Sequence, residues 1–305
     1  MSKLEAQSNP SDTPYPESRF SVVNGVRYHY RCFSPEERGE PKGTLLLVHG
    51  FASSTFSWRK LFSPLTREGY KVIAVDIPPF GFSDRSPDID HSAPARARQL
   101  WKLLEKEGVE KPHLVGHSMG ARVVGSMGAL HPHRCGTVFL VDGPFFGTRK
   151  YGLPRMLGAA LFNNRPVRVL LERLGSRLVR KPKLVKRILS FVYGQEAGKE
   201  AVEGYIRPLR LEGTAYSLPP YFLEQASEEL SMGALKTKVH LIWGEKDQIF
   251  PERMPERFLK RFPYKASISV IKGAGHCPME THPEEFLDAV FSQLKKGNSG
   301  PVSAP

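Results

Sequence analysis

A chain of 305 residues that is 40% hydrophobic and 25% charged has the composition of an ordinary soluble globular protein, which excludes a disordered or collagen-like chain. No apolar run approaches the roughly 18 residues that a membrane-spanning helix needs, and residues 1–17 lack the apolar segment of a secretory signal. Lys and Arg number 44 against 31 Asp and Glu, so the net charge of +13 favours anionic partners.

The three cysteines, Cys32, Cys135 and Cys277, form neither an even set nor a CxxC pair. This usage predicts no disulfide framework and no zinc site. Because reduced thiols are typical of the cytoplasm, we expect a cytoplasmic protein.

The first element in chain order is a hairpin. Residues 1–17 are polar and proline-rich and are predicted to be a flexible lead-in. Two alternating runs within residues 20–33 then flank Asn24-Gly25, a dipeptide that accepts the positive φ of a type I′ turn. The pattern predicts two antiparallel strands, followed by a charged loop over residues 34–43.

From Thr44 onwards, apolar runs of strand length alternate with helical patterns. The runs are apolar at consecutive positions, which is typical of strands covered on both faces. Strand–helix alternation predicts a mostly parallel, doubly wound α/β sheet with helices on both faces. The predicted strands cover residues 44–48, 71–76, 113–115, 137–141, 239–243 and 267–271, and the predicted helices cover residues 55–67, 92–107, 118–130, 251–261 and 283–295.

One long segment interrupts this alternation. Residues 144–231 contain no strand run, only helical patterns broken by Gly and Pro. We therefore predict a helical cap inserted into an α/β core made of residues 18–143 and 232–295. Residues 296–305 are rich in Gly, Ser and Pro and are predicted to be a flexible tail.

The pentapeptide Gly116-His117-Ser118-Met119-Gly120 lies between a predicted strand and a predicted helix. A serine in so sharp a turn presents its hydroxyl above the sheet, and the glycines are needed because side chains would clash there. The helix that follows places its positive N-terminal end behind the hydroxyl. This position makes Ser118 the candidate nucleophile.

A candidate acid and a candidate base follow Ser118 in the chain. Asp247 comes directly after one strand and His276 after the last one, both at strand carboxyl ends, where sites form in open α/β sheets. The order Ser118, Asp247, His276 predicts a catalytic triad, in which histidine takes the serine proton and the carboxylate orients the imidazole. Asp142 at the end of another strand stays open as an alternative acid, and Glu245 is a weaker one.

Two backbone N–H groups are needed to hold the oxyanion of an acyl-transfer intermediate. One belongs to the residue after the nucleophile, here Met119, and the other to the loop after an earlier strand, here Phe51. His49 precedes the nucleophile in the chain, so we expect it to be structural. Asp76 is expected to order its own turn.

These motifs, together with residues 76–83, resemble the α/β-hydrolase fold superfamily, in the serine-nucleophile branch that carries a helical cap. The resemblance extends from Thr44 to Lys295 and implies a carboxylesterase- or lipase-like serine hydrolase that cleaves carboxylic esters or related acyl bonds through an acyl-enzyme. The sequence departs from the family pattern at Pro79, where glycine is usual. A serine rather than an aspartate nucleophile argues against epoxide hydrolases and haloalkane dehalogenases.

Positive charge is concentrated in the predicted cap, because residues 145–212 contain 15 Lys or Arg and 5 Asp or Glu. Leu170, Leu174 and Leu178 recur there at helical spacing, with Arg173 among them. A basic amphipathic helix can lie on an anionic membrane, or it can turn its apolar stripe towards a pocket. We favour the pocket, since a cap must pack against something, and keep peripheral membrane contact as the alternative. No nucleic-acid recognition motif accompanies the charge.

The sequence therefore predicts a serine hydrolase that acts on a small-molecule ester or a lipid-like substrate. Two alternatives stay open: a non-catalytic ligand-binding protein of this fold, and a C–C bond hydrolase, thioesterase, amidase or perhydrolase that uses the same triad. No metal cluster or phosphate-binding loop is present in the sequence, so no cofactor and no metal are expected. The oligomeric state does not follow from these patterns.

Overall fold

The computed structural model describes residues 13–35, 39–86, 88–143, 164–217, 234–250, 255–256, 259–260 and 266–297. Within these ranges the chain forms one eight-stranded sheet with the strand order β1-β2-β4-β3-β5-β6-β7-β8. The strands are β1 (Ser18–Val23), β2 (Val26–Phe33), β3 (Thr44–Val48), β4 (Lys71–Val75), β5 (His113–His117), β6 (Val138–Val141), β7 (Val239–Gly244) and β8 (Ala266–Ile271).

The sheet is antiparallel at one edge and parallel elsewhere. β1 pairs with β2, and β2 with β4, in antiparallel register. The remaining pairs are all parallel. Asn24 and Gly25 turn the hairpin with φ of 49° and 80°, as their sequence predicts. The predicted α/β class is therefore confirmed.

The predicted strands are all present, with ends that differ by at most two residues. In β3, Leu45 and Leu47 pack into the apolar layer on one face of the sheet, whereas Leu46 and Val48 pack into the layer on the other face. Both faces are covered, which explains why consecutive positions are apolar.

The described helices are α1 (Phe62–Arg67), α2 (Ala93–Lys106), α3 (Met119–Leu130), α4 (Arg165–Val179), α5 (Pro182–Tyr193), α6 (Lys199–Leu209), α7 (Pro278–Thr281) and α8 (Pro283–Gly297), with 3₁₀ turns at Thr55–Trp58 and Pro132–Arg134. The prediction of one continuous helix over residues 55–67 is wrong. A helix of that length would put Pro64 in its interior, where the ring clashes with the preceding turn. The chain instead forms a 3₁₀ turn and then α1, which holds Pro64 in its first turn. The helix predicted over residues 251–261 lies mostly outside the described residues.

Three of the described helices, α4, α5 and α6, lie between β6 and β7, and we call them the inserted helices. An ionic cluster around the buried Glu280 links them to the sheet domain. Glu280 of α7 accepts hydrogen bonds from Arg59 Nη1 and from the Tyr205 hydroxyl of α6, each at 2.5 Å. Arg59 Nε also donates to Glu200 of α6 at 2.7 Å. Because the Glu280 side chain is buried, loss of either donor would leave an incompletely paired charge inside the protein.

The two chain ends differ somewhat from the predicted bounds. Residues 13–17 belong to the predicted lead-in, yet Tyr15 packs edge-on against Phe82 and Glu17 forms an ion pair with Arg31 at 2.7 Å. At the other end, α8 runs to Gly297, two residues into the predicted tail. Residues 1–12 and 298–305 lie outside the described residues.

The cysteines are free thiols, and Cys135 and Cys277 are buried. In the described part of the chain, no helix combines the length and the apolar character that crossing a bilayer requires.

Buried His91 makes the stability of the fold pH-dependent. Burial, and the Arg96 guanidinium whose Nη2 lies 3.0 Å from His91 Nδ1, lower the pKa of His91 to about 3, although Asp90 and the Pro78 carbonyl oppose this shift. The unfolded chain takes up a proton near pH 6.5 and the folded chain does not, so the free energy of unfolding falls as the pH drops from about 6.5 to 3. We expect His91→Gln to flatten this dependence by up to about 1.4 kcal/mol per pH unit. Urea unfolding at several pH values measures it, and parallel curves for the two proteins would contradict the assignment.

Candidate active site

Ser118 occupies a sharp turn between β5 and α3. Its backbone has φ of 52° and ψ of −114°, a conformation that side chains rarely adopt. The Ser118 N–H donates to the Val141 carbonyl of β6 at 2.8 Å, which holds the turn against the sheet. Strain at a single residue that its surroundings over-determine is typical of functional sites.

The two glycines of the pentapeptide are required by close backbone contacts. A Cβ on Gly116 would lie 2.3 Å from the Gly120 carbonyl oxygen, and a Cβ on Gly120 would lie 2.2 Å from the Val48 carbonyl oxygen. Real Cβ atoms do not approach backbone oxygens so closely. The turn therefore forms only with glycine at both positions.

His276 and Asp247 form a buried pair. His276 Nδ1 donates to Asp247 Oδ2 at 2.9 Å, and the loops after β7 and β8 supply the two residues. Asp247 Oδ1 accepts the N–H groups of Ile249 and Phe250 at 2.7 and 3.0 Å. This donor set fixes the carboxylate, and the bond at Nδ1 leaves Nε2 of the imidazole as the proton acceptor.

Ser118 and His276 line the same cavity, which has a volume of about 460 Å³. Within the described part of the chain the Ser118 hydroxyl is not hydrogen-bonded to the His276 ring. Such contacts are often long in ligand-free sites and shorten when a substrate binds. The His276 loop is also fastened to the inserted helices, because its N–H donates to the Val192 carbonyl at 2.9 Å.

Asp142, the alternative acid, lies next to Asp247 but does not bond to the histidine. Asp142 Oδ1 accepts the Gly244 N–H at 2.8 Å, and the residue has a φ of 40°. Burial and the neighbouring Asp247 carboxylate raise the pKa of Asp142 well above its usual value, which favours its protonated form. Polar atoms of Asp142, Asp247 and His276 lie within 4.8 Å of one another, a spacing that could suit a metal ion. Asp247 and His276 are already bonded to each other, however, and a carboxyl whose pKa is raised is a poor ligand.

The remaining acidic and histidine candidates have structural partners. Glu245 accepts the Gly273 N–H at 2.8 Å. Asp76 is fully buried and accepts hydrogen bonds from Thr55 N–H, Phe82 N–H and the His29 ring, so it joins two loops and a strand rather than one turn alone. His49 Nδ1 contacts the Gly50 carbonyl and its Nε2 accepts the Ile77 N–H, in agreement with the expected structural role.

The predicted oxyanion donors lie on two segments that meet at Ser118. Met119 is the first residue of α3, where backbone N–H groups have no acceptor inside the helix. The loop that carries Phe51 passes close to the nucleophile, because a Cβ on Gly50 would lie 3.1 Å from Ser118 Cβ. The Phe51 side chain lines the same cavity as Ser118.

Comparison with known proteins identifies the family of this fold. A family model described as alpha/beta hydrolase fold matches residues 43–283. The chain belongs to the α/β-hydrolase fold family.

Curated relatives of this α/β hydrolase are named as several kinds of hydrolase. An uncharacterized hydrolase YugF of Bacillus subtilis is 31% identical over 285 residues, which cover 92% of the chain and 98% of that protein. Lipase 1 of Psychrobacter immobilis is 27% identical and covers 82% and 75% of the two chains. A 2-hydroxy-6-oxo-6-phenylhexa-2,4-dienoate hydrolase of Burkholderia cepacia is 26% identical and covers 92% and 97%.

Sequence reasoning missed one residue that holds the site of this α/β hydrolase together. His117 is buried, and its Nε2 bonds to the His276 carbonyl at 2.7 Å across 159 residues of chain. Burial and the nearby His276 ring lower the pKa of His117 well below its usual value, so it stays neutral. It therefore positions the His276 loop as an N–H donor. Its position inside the pentapeptide indicated that it lies near the site. The sequence does not show, however, which distant group a buried histidine bonds.

The cavity beside Ser118 is mostly apolar. Its lining comes from the Phe51 loop, from the loops that carry Ile249 and His276, and above all from the inserted helices. The residues from these helices are Leu178, Val179, Leu184, Val185, Ile188, Leu189, Val192, Tyr205 and Leu209. Such a surface favours hydrocarbon over charged ligands.

Proposed function

We propose that this chain is a serine hydrolase that cleaves carboxylic esters with an apolar acyl or alcohol part through an acyl-enzyme. The observation that carries the proposal is the His276–Asp247 hydrogen bond of 2.9 Å at the rim of the cavity that also holds Ser118. A serine hydroxyl is a weak nucleophile until a base removes its proton, and an imidazole oriented by a carboxylate is suited to that task.

In the first half of the proposed reaction, Ser118 Oγ attacks the ester carbonyl carbon and its proton passes to His276 Nε2. Asp247 stabilises the imidazolium, and the backbone N–H groups of Phe51 and Met119 bind the oxyanion. The C–O bond to the alcohol then breaks, and His276 returns the proton to the departing oxygen. In the second half, water attacks the acyl-enzyme with His276 as base and releases the acid and Ser118.

We assign the acid role to Asp247 rather than to Asp142. Asp247 is the carboxylate bonded to His276, and two backbone N–H groups hold its other oxygen in place. Asp142 lies next to Asp247, and its raised pKa favours the protonated form of its carboxyl. A neutral acid cannot stabilise an imidazolium as a carboxylate does.

The inserted helices would act as the cap that selects the acyl part. We expect kcat/KM for p-nitrophenyl esters to rise by about fourfold per methylene until the cavity is filled, because each buried methylene contributes about 0.8 kcal/mol. Leu184→Trp, on the cavity wall, should lower the ratio of kcat/KM for octanoate over acetate at least about tenfold. Leu211→Trp is the matched control, since Leu211 does not line the cavity. Equal ratios in both variants would contradict an acyl site here.

A second candidate is C–C bond hydrolysis, favoured by the Burkholderia cepacia relative and by the same triad. Activity on substrates of the dienoate class, with no activity on esters, would favour C–C bond hydrolysis over ester hydrolysis. Epoxide hydrolysis is disfavoured, because the residue at the turn is Ser118 rather than an aspartate. Labelling by a fluorophosphonate probe tests the nucleophile for either reaction, and no labelling of the native protein would favour a non-catalytic binding protein.

A further inference from the structure

The inserted helices expose large apolar side chains beside the cavity mouth. Leu170, Leu174 and Leu178 follow one another at four-residue spacing along one face of α4 and are 55%, 45% and 50% exposed. The sequence favoured a stripe turned into the pocket, and this is wrong for Leu170 and Leu174. Only Leu178 of the three lines the cavity. The other face of α4 is anchored, because Glu172 accepts the N–H groups of Gly213 and Tyr216.

Helix α5 continues the apolar surface. Ile188 and Phe191, one turn apart, are 53% and 54% exposed, and Ile188 lines the cavity together with Leu178. We call Leu170, Leu174, Leu178, Ile188 and Phe191 the mouth patch. An exposed group of large apolar side chains on a folded protein marks an interaction surface. Here the surface leads directly into the cavity that contains Ser118.

The charge around the mouth patch is strongly positive. Residues 165–193 contain nine Lys or Arg and a single acid, Glu172, whose carboxylate is engaged by backbone N–H groups. Arg173 and Arg177 are exposed on α4, next to the leucine stripe. Arg187 is exposed on α5 beside Ile188. A row of exposed leucines flanked by cations is the pattern of a helix that lies in the interface of an anionic bilayer.

We propose that the mouth patch docks the protein on an anionic lipid surface, with the cavity mouth towards the lipid. The leucines of α4 and the exposed residues of α5 enter the acyl region, and the surrounding arginines and lysines bind the headgroup phosphates or carboxylates. An ester-linked acyl chain then passes from the bilayer to Ser118 without crossing water. This delivery step rests on the proposed function, whereas the docking itself does not.

Co-sedimentation with vesicles tests the docking. The full chain should bind vesicles of phosphatidylcholine mixed with phosphatidylserine at low salt, bind phosphatidylcholine alone much more weakly, and lose most binding at about 1 M salt, where the Debye length is about 3 Å. Leu170→Gln/Leu174→Gln should weaken binding at least about tenfold. Turnover of p-nitrophenyl acetate by this variant should be unchanged, because neither leucine lines the cavity.

A charge-matched pair of variants separates the patch from net charge. Arg173→Glu/Arg177→Glu should weaken binding at least about tenfold. Lys111→Glu/Lys236→Glu changes the net charge equally. These exposed residues lie just before β5 and β7, at the amino ends of the parallel strands and so opposite the site, and this variant should retain most of the binding. No binding at low salt, or equal loss in both pairs, would overturn the proposal. Self-association that Leu170→Gln/Leu174→Gln abolishes, without vesicle binding, would assign the patch to a second copy instead. If the protein binds vesicles but does not hydrolyse esters, the docking proposal stands and only the proposed delivery of an acyl chain to Ser118 falls.

Discussion

Ser118→Ala is expected to lower kcat/KM for a short p-nitrophenyl ester by about 10⁴- to 10⁶-fold. The alanine removes the attacking oxygen but keeps a side chain compatible with the turn, because the strained backbone at φ 52° is imposed by β5, α3 and the bond to Val141. The measurement is steady-state turnover, together with labelling by a fluorophosphonate probe, which should disappear.

Ser126→Ala provides the matched control for the nucleophile. Ser126 is a buried serine in α3, the helix that follows Ser118, and does not line the cavity. Its removal should leave both turnover and labelling nearly unchanged. Ester turnover that survives Ser118→Ala, with the fold intact by circular dichroism, would refute the assignment of the nucleophile and with it the acyl-enzyme.

Asp247→Asn is expected to lower kcat by about 10⁴-fold, since an amide cannot stabilise the imidazolium and favours the wrong tautomer of His276. Asp142→Asn should cost less than about tenfold. The raised pKa of Asp142 favours its protonated carboxyl, which an uncharged amide resembles. Both aspartates are buried and both replacements are isosteric, but only Asp247 bonds the histidine.

The two aspartates thus test each other in one experiment on p-nitrophenyl esters near neutral pH. A large loss in Asp142→Asn with a small one in Asp247→Asn would transfer the acid role to Asp142. Thermal unfolding of both variants shows whether a loss of turnover reflects chemistry or an unfolded protein. An intact Asp247→Asn protein that keeps full activity would leave His276 without its predicted orienting partner.

Most of the sheet could be predicted because its information is local. The apolar runs of β3 and β7 are too continuous for a half-exposed strand, and the structure buries both elements completely. The Ser118 turn is equally local, since its glycines and the following helix occupy consecutive positions. One error, the helix across residues 55–67, arose because its apolar spacing outweighed Pro64, which the backbone does not tolerate in mid-helix.

Contacts between distant segments could not be predicted with the same success. Arg59 and Glu280 form an ion pair although 221 residues separate them in the chain, and neither local sequence indicates this contact. The exposure of the leucine stripe of α4 likewise depends on contacts between distant segments. Its spacing predicts a helix correctly, yet its exposure depends on the side of α4 to which residues 213–216 are fastened.

The sequence by itself determined the elements, their class and the order of the serine, aspartate and histidine, because hydrophobic periodicity and turn sterics act over a few residues. The tertiary structure alone decided which carboxyl bonds His276, which one has its pKa raised by burial beside it, and which apolar face of the inserted helices remains exposed to water. These outcomes depend on distances and desolvation set by packing between segments far apart in the chain, and short-range patterns carry no record of them.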